Sequence, residues 1–344
     1  MTAGNPDVKT SAGITANLSI ELTTRCTSAC KHCFARAGLS RDVCLSLDSA
    51  RSICAEGFAA GFRYLHLSGG EPLLWKGLWD LLDDVFERGY RSVFLNTNGL
   101  LMTAPVVDRL AQYPGLRLSV SLEGPESLHD RIRGAGTHRR TAQGVARALE
   151  AGLTVSLFTT VGKPLLAQLP AFVQEVYATF EGIEQLTLIQ LIRPGQGAWD
   201  LAADLLAPDD FVTLVRMVSA LNLCGLSTDL LNNPLANVVA AKLGLPLVPQ
   251  SHALCRLGRL MVRANQDITV AHSTLEIIGQ YRPGMITRAV SCDCYCKAVA
   301  QDDTTCPMCP YIGQCRKHGQ LQPSSPVMDL QPEVPYCQRV LAGI

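Results

Sequence analysis

The sequence predicts an α/β fold, a partial (βα)6 TIM-like barrel with a small cysteine-rich C-terminal domain. Short apolar runs alternate with longer amphipathic segments six times between Asn17 and Asn222, and strict alternation of this kind is typical of a parallel sheet. Right-handed crossovers curl such units into part of a barrel. We expect the barrel over residues 1–222, a bridging segment over 223–254 and the C-terminal domain over 255–344.

The six predicted βα units follow one another directly along the chain. Their strands are NLSIEL, RYLHLSG, SVFLNTN, LRLSVSL, TVSLFTT and QLTLIQ, and their helices are SLDSARSICAEGFAAG, KGLWDLLDDVFERG, APVVDRLAQY, TAQGVARALEAG, LAQLPAFVQEVYATF and PDDFVTLVRMVSALN. Ser46 precedes the first helix as an N-cap residue, and Gly89 and Gly152 follow helix ends. After Asn222 the pattern decays into a segment rich in Leu and Pro, which we interpret as the bridge.

Composition limits the classes of function that the chain can have. Its 344 residues are 47% apolar, and 30 basic residues balance 30 acidic ones, so a large core is expected and a diffuse attraction to nucleic acid or anionic lipid is not. The first 25 residues lack the apolar core of a signal peptide, and no later run approaches the length of a membrane span. We therefore expect a cytoplasmic protein without a nucleic-acid or membrane partner.

Thirteen of the 14 cysteines fall into two groups, and the chain from Ala55 to Leu223 between them has none. Five lie at or before Cys54 and eight lie between Cys255 and Cys337, with Cys224 alone between the groups. In a reducing compartment such clusters more often indicate metal or redox chemistry than disulfides. We interpret Cys44, Cys54 and Cys224 as structural, and His66, inside an apolar strand, as a packed side chain.

The first group contains the pattern C-x3-C-x2-C, formed by Cys26, Cys30 and Cys33 directly after a predicted strand. Three thiolates can hold three corners of a [4Fe–4S] cluster, which leaves one iron without a protein ligand. A structural zinc site would need a fourth ligand, for which His32 is the nearby candidate. Three buried thiols without any metal are the remaining interpretation.

Three further polar loops are predicted at the same edge of the sheet, where the carboxyl ends of parallel strands collect functional groups. They are SGGEP at residues 68–72, NTNG at 96–99 and SLEGPESLHDRIRG at 121–134. Each of these short motifs alone is more often an ordinary turn or solvated loop. The combined pattern is specific because all three motifs follow the cysteine loop in a fixed order along the chain.

Together these motifs resemble those of the radical SAM enzymes, whose signature places an aromatic residue, here Phe34, after the third cysteine. The resemblance implies a [4Fe–4S] cluster whose open iron is chelated by S-adenosylmethionine (SAM), and an electron donor such as flavodoxin or ferredoxin. It implies reductive cleavage of SAM to a 5′-deoxyadenosyl radical that abstracts hydrogen from a substrate. No catalytic residue is assigned. The cofactor-binding residues that it implies are Phe34, Ser68, Gly69, Gly70, Glu71, Asn98, Ser121 and Arg133.

Within that set, the resemblance suggests separate tasks. Glu71 would supply an acceptor for the methionyl amino group, and Asn98 and Ser121 would lie near the ribose. Arg133 would pair with the cofactor carboxylate, for which a guanidinium fork is suited. Glu123 occupies the position of the usual Asp in the motif DGxxxxHDxxRG, whereas His129, Asp130, Arg133 and Gly134 match it.

The C-terminal cysteines resemble the SPASM extension of radical SAM peptide maturases, which holds auxiliary iron–sulfur clusters. The resemblance implies an outer cluster bound by Cys306, Cys309, Cys315 and Cys337. A zinc knuckle would satisfy the same spacing. The inner cluster departs from the family pattern, because Ala271, His272, Ser273 and Gly319 stand where ligands or their flanking residues are usual. A rebuilt inner site could use Cys255, Cys292, Cys294 and Cys296.

Three classes of function follow from these observations. The first is a radical SAM maturase that modifies a peptide or protein side chain. The second is a radical SAM enzyme acting on a small molecule such as a tetrapyrrole or aminosugar precursor. The third, a non-catalytic iron–sulfur or zinc protein, would require the loop motifs to be coincidental. The sequence favours the first.

Overall fold

The computed structural model describes most of the barrel and parts of the C-terminal region. The described residues are 17–33, 35, 37–192, 199–231, 233–246, 259–270, 277–290, 292, 295, 308–312, 315 and 334–344. Several predicted site residues lie outside these ranges, namely Phe34, Cys255, Cys294, Cys296 and Cys306, as do Ala271, His272, Ser273 and Gly319.

The strands and helices alternate as the sequence predicted. The strands are β1 Asn17–Glu21, β2 Tyr64–Ser68, β3 Ser92–Thr97, β4 Leu116–Ser121, β5 Thr154–Val161, β6 Gln185–Gln190, β7 Thr228–Leu230, β8 Arg259–Val262, β9 Asp267–Thr269 and β10 Gly279–Gln280. The helices are α1 Leu47–Ala59, α2 Leu78–Arg88, α3 Ala104–Leu110, α4 Glu126–Arg133, α5 Thr137–Glu150, α6 Lys163–Leu166, α7 Leu169–Thr179, α8 Pro208–Leu223, α9 Leu235–Lys242, α10 Met285–Ala289 and α11 Tyr336–Ala342. Short 3₁₀ turns cover Pro72–Leu74 and Trp199–Asp204.

The strands of the described residues form one sheet in the order β10-β9-β8-β1-β2-β3-β4-β5-β6-β7. Strands β1 to β7 are parallel to their neighbours, β8 runs parallel to β1, and β9 and β10 are antiparallel. The α/β fold with a partial parallel barrel is therefore confirmed. Strands β8 and β9 pair as an antiparallel hairpin.

Local helix signals also behave as predicted. Ser46 caps α1 by accepting a hydrogen bond from the Ser49 amide, and Gly89 ends α2 with a φ of 95°. Leu18 and Ile20 of β1 are fully buried, and the side chain of Cys54 on α1 is only 1% exposed. Alternate residues of the inner strands thus pack beneath the helices, which forms the core.

Two segments differ from the sequence prediction. Residues 126–133, interpreted as loop, form α4, because Leu128 and Ile132 recur four residues apart and are buried. The segment interpreted as a bridge contains β7 and α9, a seventh βα unit that extends the parallel sheet. Its strand has only three residues, too few for hydrophobic periodicity to reveal it.

The described residues contain no helix that is both long and apolar enough to cross a membrane. The predicted cytoplasmic location stays a prediction.

Glu56 on α1 forms hydrogen bonds that connect the barrel to residues of the C-terminal region. Its Oε1 accepts hydrogen bonds from the Tyr281 hydroxyl at 2.9 Å and the Gly284 amide at 2.7 Å. Its Oε2 accepts one from the Ile286 amide at 3.0 Å. The carboxylate therefore satisfies amides at the start of α10, where backbone N–H groups lack helical partners.

We expect Glu56→Ala to destabilise the attachment of α10 by about 1–3 kcal/mol, since three donors lose their acceptor. Amide hydrogen exchange over residues 277–290 should accelerate more than exchange over β2 and β3. Glu87→Ala is the matched control, because Glu87 is an exposed glutamate on α2 and its loss removes the same charge. Equal exchange rates in the two variants would contradict the assignment.

Candidate active site

The cysteine loop leaves the carboxyl end of β1 and rests on the loop that follows β2. The Gly70 amide donates to the Thr23 carbonyl at 2.6 Å, and the Glu71 amide donates to the Arg25 carbonyl at 2.7 Å. A Cβ added at Gly70 would lie 2.1 Å from the Arg25 oxygen. Only glycine permits this approach, so the GGEP motif supports the backbone that carries the cysteines.

The three cysteines of the loop are free thiols that lie close to one another. Cys26 is buried, whereas Cys30 and Cys33 are partly exposed. Burial raises the pKa of Cys30 to about 11, and burial is also the main cause that raises the pKa of Cys26, with smaller contributions from Glu71 and Cys33. Without a bound cation the Cys30 thiol would stay protonated at neutral pH, as expected of a ligand that ionises when metal binds.

Each sulfur also accepts a hydrogen bond from the protein. Cys26 Sγ lies 3.4 Å from the Ser28 amide and 3.5 Å from Asn98 Nδ2. Cys33 Sγ lies 3.4 Å from the Ala37 amide, and Cys30 Sγ lies 3.5 Å from Arg133 Nη1. Donors of this kind stabilise thiolate ligands and influence the potential of an iron–sulfur cluster.

These side chains fit a cluster better than a single ion. Among the described residues, no three His, Cys, Asp or Glu side chains converge as the ligands of one metal ion do. A cubane cluster takes one cysteine at each of several irons, so its ligands stand further apart. His32, the candidate for a fourth zinc ligand, instead directs Nε2 to Glu123 Oε1 at 3.1 Å.

Glu71 connects the loops that follow β2 and β3. Its carboxylate is fully buried and accepts hydrogen bonds from Thr97 Oγ1 at 2.8 Å, the Leu73 amide at 3.2 Å and the Asn98 amide at 2.9 Å. Burial raises its pKa to about 6. The predicted contact of this carboxylate with the amino group of the cofactor stays a prediction.

The predicted ribose-side residues lie at the ends of β3 and β4. Asn98 donates from Nδ2 to Thr27 Oγ1 at 2.9 Å, so its side chain faces the cysteine loop. Ser121 is half-buried at the last position of β4, and Ser68 is buried at the end of β2. The structure therefore brings the four predicted loops to one edge of the sheet.

Arg133 and Glu123 form a buried ion pair beside the cysteine loop. Arg133 donates to Glu123 Oε1 from Nε at 2.9 Å and from Nη2 at 2.5 Å. The second carboxylate oxygen accepts from the Thr160 amide at 2.7 Å. Burial alone would raise the pKa of Glu123, but the Arg133 charge holds it well below its ordinary range. Glu123 therefore stays ionised and orients the guanidinium against Cys30.

The remaining residues of the fourth motif have structural contacts. His129 is fully buried and accepts from the Glu123 amide at Nδ1, 3.1 Å away. Asp130 accepts from the Gly136 and His138 amides at 2.6 and 2.9 Å at the start of α5. Sequence reasoning missed the contacts of His32 and Thr160 with Glu123, because Glu123 is distant from both residues in the chain.

Three of the C-terminal cysteines lie within the described residues. Cys309, Cys315 and Cys337 are partly buried. Lys242 of α9 links their segments: its Nζ lies 5.9 Å from the centre of the Tyr311 ring and 3.2 Å from the Leu341 carbonyl. The sulfur of Cys292 takes part in a disulfide, so the rebuilt inner site stays a prediction.

Comparison with known proteins agrees with this geometry. Residues 20–166 match the family model of the Radical SAM superfamily. Among curated proteins, the mycofactocin maturase MftC of Mycobacterium tuberculosis is 32% identical over 193 residues, covering 55% of this chain and 47% of the relative. The Fe-coproporphyrin III synthase of Methanosarcina barkeri is 28% identical over 186 residues, covering 54% of this chain and 46% of the relative.

The matched part of the chain spans about half the length of these relatives. Among solved structures, Streptococcus suis SuiB bound to its precursor peptide SuiA superposes with a TM-score of 0.70 at 13% identity. The superposition covers 94% of this chain and 75% of SuiB, which shows a shared fold. Residues 20–166, which carry the cysteine loop and the three polar loops, are therefore similar to the Radical SAM superfamily.

Proposed function

We propose that this protein binds a [4Fe–4S] cluster through Cys26, Cys30 and Cys33 and uses SAM to modify a side chain of a peptide or protein. The observation that carries the proposal is the cysteine loop itself. Its three sulfurs accept protein hydrogen bonds at the edge of the sheet, and a [4Fe–4S] cluster held by three cysteines has one iron without a protein ligand. This leaves one coordination position for SAM.

The chemistry that a bound cluster supplies is the transfer of one electron to SAM, whose cleavage starts radical chemistry on the substrate. The chain's own residues position the two groups. The backbone at Gly69 and Gly70 holds the cysteine loop, and Glu71 fixes the ends of β2 and β3. Arg133, oriented by Glu123, is the proposed partner of the SAM carboxylate.

A second cluster is proposed at the C-terminal corner, bound by Cys306, Cys309, Cys315 and Cys337. Support comes from the contacts of Lys242 with both the Tyr311 segment and the end of α11. Tyr336 anchors α11 to the barrel through hydrogen bonds with the Ala207 carbonyl and Gln190, both at 3.2 Å. This cluster would accept the electron of a substrate radical, and flavodoxin or ferredoxin would reduce the first cluster.

The proposed peptide substrate is supported by the resemblance of the C-terminal cysteines to the SPASM extension and by similarity to a mycofactocin maturase. A small-molecule substrate is the second candidate, because the Fe-coproporphyrin III synthase matches over a similar span. Mass spectrometry of a cell extract treated with the reconstituted protein distinguishes them. A peptide that has changed mass supports the first candidate, and a modified tetrapyrrole supports the second.

Replacing Cys26, Cys30 and Cys33 by Ala should remove about four irons per chain and abolish 5′-deoxyadenosine formation, even with a strong chemical reductant. Replacing Cys306, Cys309 and Cys315 by Ala is the contrasting variant. It should retain some cleavage of SAM and lose substrate modification, since the substrate electron has no acceptor. Cleavage that survives the first replacement would refute the assignment of the cysteine loop.

Gly70→Ala should reduce iron loading, because the added methyl group collides with the Arg25 carbonyl and displaces the cysteine loop. Gly38→Ala is the matched control in the same loop, since a Cβ there meets nothing within 4 Å. Iron and sulfide analysis after anaerobic reconstitution measures the effect. Full iron loading of Gly70→Ala would show that the two loops do not depend on each other.

Glu71→Ala should weaken SAM binding about tenfold, or about 1.4 kcal/mol, while iron content stays intact. The physical reason is the loss of the acceptor shared by Thr97, Leu73 and Asn98. Glu71→Gln, which keeps one acceptor oxygen, should lose less. Glu126→Ala, at an exposed position on α4, is the control. Equilibrium binding of SAM that is equal in all three variants would remove Glu71 from the site.

A further inference from the structure

The face of the sheet opposite the helices carries polar side chains at the amino ends of β1, β2 and β8. Leu18 faces α1, since a Cβ at Gly57 would lie 2.5 Å from its side chain, and the alternating residues Asn17 and Ser19 therefore face the other way. Ser19 Oγ lies 3.3 Å from Nδ1 of its register partner His66. Arg259 is the register partner of Asn17. We call Asn17, Ser19, His66 and Arg259 the inner face.

Arg259 is a buried cation without a hydrogen-bonding partner at two of its nitrogens. The residue is 7% exposed, and Nε and Nη1 are enclosed by protein without accepting groups. Among the described residues no carboxylate forms an ion pair with it, whereas Arg117 pairs with Glu184 and Arg133 pairs with Glu123. An uncompensated buried charge lowers stability, so its retention calls for a functional explanation.

The neighbours of Arg259 do not supply the missing negative charge. Burial lowers the pKa of His66 to about 4, and the Arg259 charge acts in the same direction, so the imidazole is neutral. Glu21 lies on the same face at the far end of β1, where Arg263 is its electrostatic partner. The inner face thus combines a cation with neutral polar groups, which is the composition of an anion-binding site.

We propose that Arg259 binds a carboxylate of the substrate at the inner face. A guanidinium presents its donors in a planar fork that matches the two oxygens of a carboxylate. The neutral side-chain amide of Asn17 next to it can satisfy a further oxygen lone pair. Binding would supply the counter-charge that the described protein groups do not provide.

This inference rests on the proposed function, because a peptide substrate would supply the carboxylate from an acidic side chain or its C-terminus. The five residues of β1 span about 16 Å, and Arg259 lies at the opposite end from the cysteine loop. The carboxylate would therefore bind far from the reacting carbon. Arg259 is a positioning residue whose contact helps to hold the substrate during the reaction.

The test measures thermal unfolding of the full-length, anaerobically reconstituted protein with propionate, and with propionamide as the neutral probe of the same shape, at matched ionic strength. We expect propionate to raise the Tm of the wild type and propionamide to leave it unchanged. Arg259→Met should abolish this response. Without any probe, the same variant should have a higher Tm than the wild type, because the buried charge is gone.

Arg117→Met is the matched control: it should lower the Tm by breaking an ion pair and should keep the propionate response. Arg259→Lys, which retains the charge, should keep part of that response. The proposal is overturned if the wild type does not respond to propionate, which would mean that water alone solvates Arg259. A full propionate response in Arg259→Met would also overturn it. So would a larger decrease in Tm for Arg259→Met than for Arg117→Met in the absence of a probe.

Formation of 5′-deoxyadenosine is measured separately on the same preparations. Absence of SAM cleavage in a cluster-loaded wild type would refute the proposed function and leave the propionate result standing. Cleavage without a propionate response would refute the carboxylate site alone.

Discussion

The close backbone contact between the loops after β1 and β2 is the constraint on which the rest of the site depends. Two hydrogen bonds join the Gly70 and Glu71 amides to the cysteine loop, and only a residue without a side chain fits beneath the Arg25 carbonyl. Glu71 extends this contact to the end of β3 through Thr97 and the Asn98 amide. The loops after β1, β2 and β3 are thus joined to one another, and the sheet determines where the cysteines lie.

A buried charge balance completes the other side of the site. Burying the Arg133 guanidinium alone would cost free energy, but Glu123 accepts two hydrogen bonds from it. The positive charge of Arg133 in turn keeps the Glu123 carboxylate ionised. His32 and the Thr160 amide occupy further positions on the same carboxylate. The pair therefore links the cysteine loop, α4 and β5, and presents a cation next to Cys30.

The C-terminal region is joined to the barrel rather than appended to it. Strand β8 extends the parallel sheet beside β1, and Glu56 of α1 holds the start of α10. Two arginines of the sheet then differ in their partners: the half-buried Arg117 pairs with a carboxylate, whereas the buried Arg259 forms no ion pair among the described residues. That difference arises because β8 places Arg259 beside Asn17, a neutral residue.

The sequence by itself determined the fold class, the six βα units and the edge of the sheet at which the motifs meet, because hydrophobic periodicity and the direction of parallel strands are local properties. It also identified Cys26, Cys30 and Cys33 as a set, since their spacing lies within one loop. Only the tertiary structure decided that Glu71 connects the loops after β2 and β3, that residues 126–133 are helical, that Thr228–Leu230 continue the sheet and that β8 pairs with β1. Those features depend on partners far away in the chain, and no local pattern encodes which distant group a buried carboxylate or a short strand will meet.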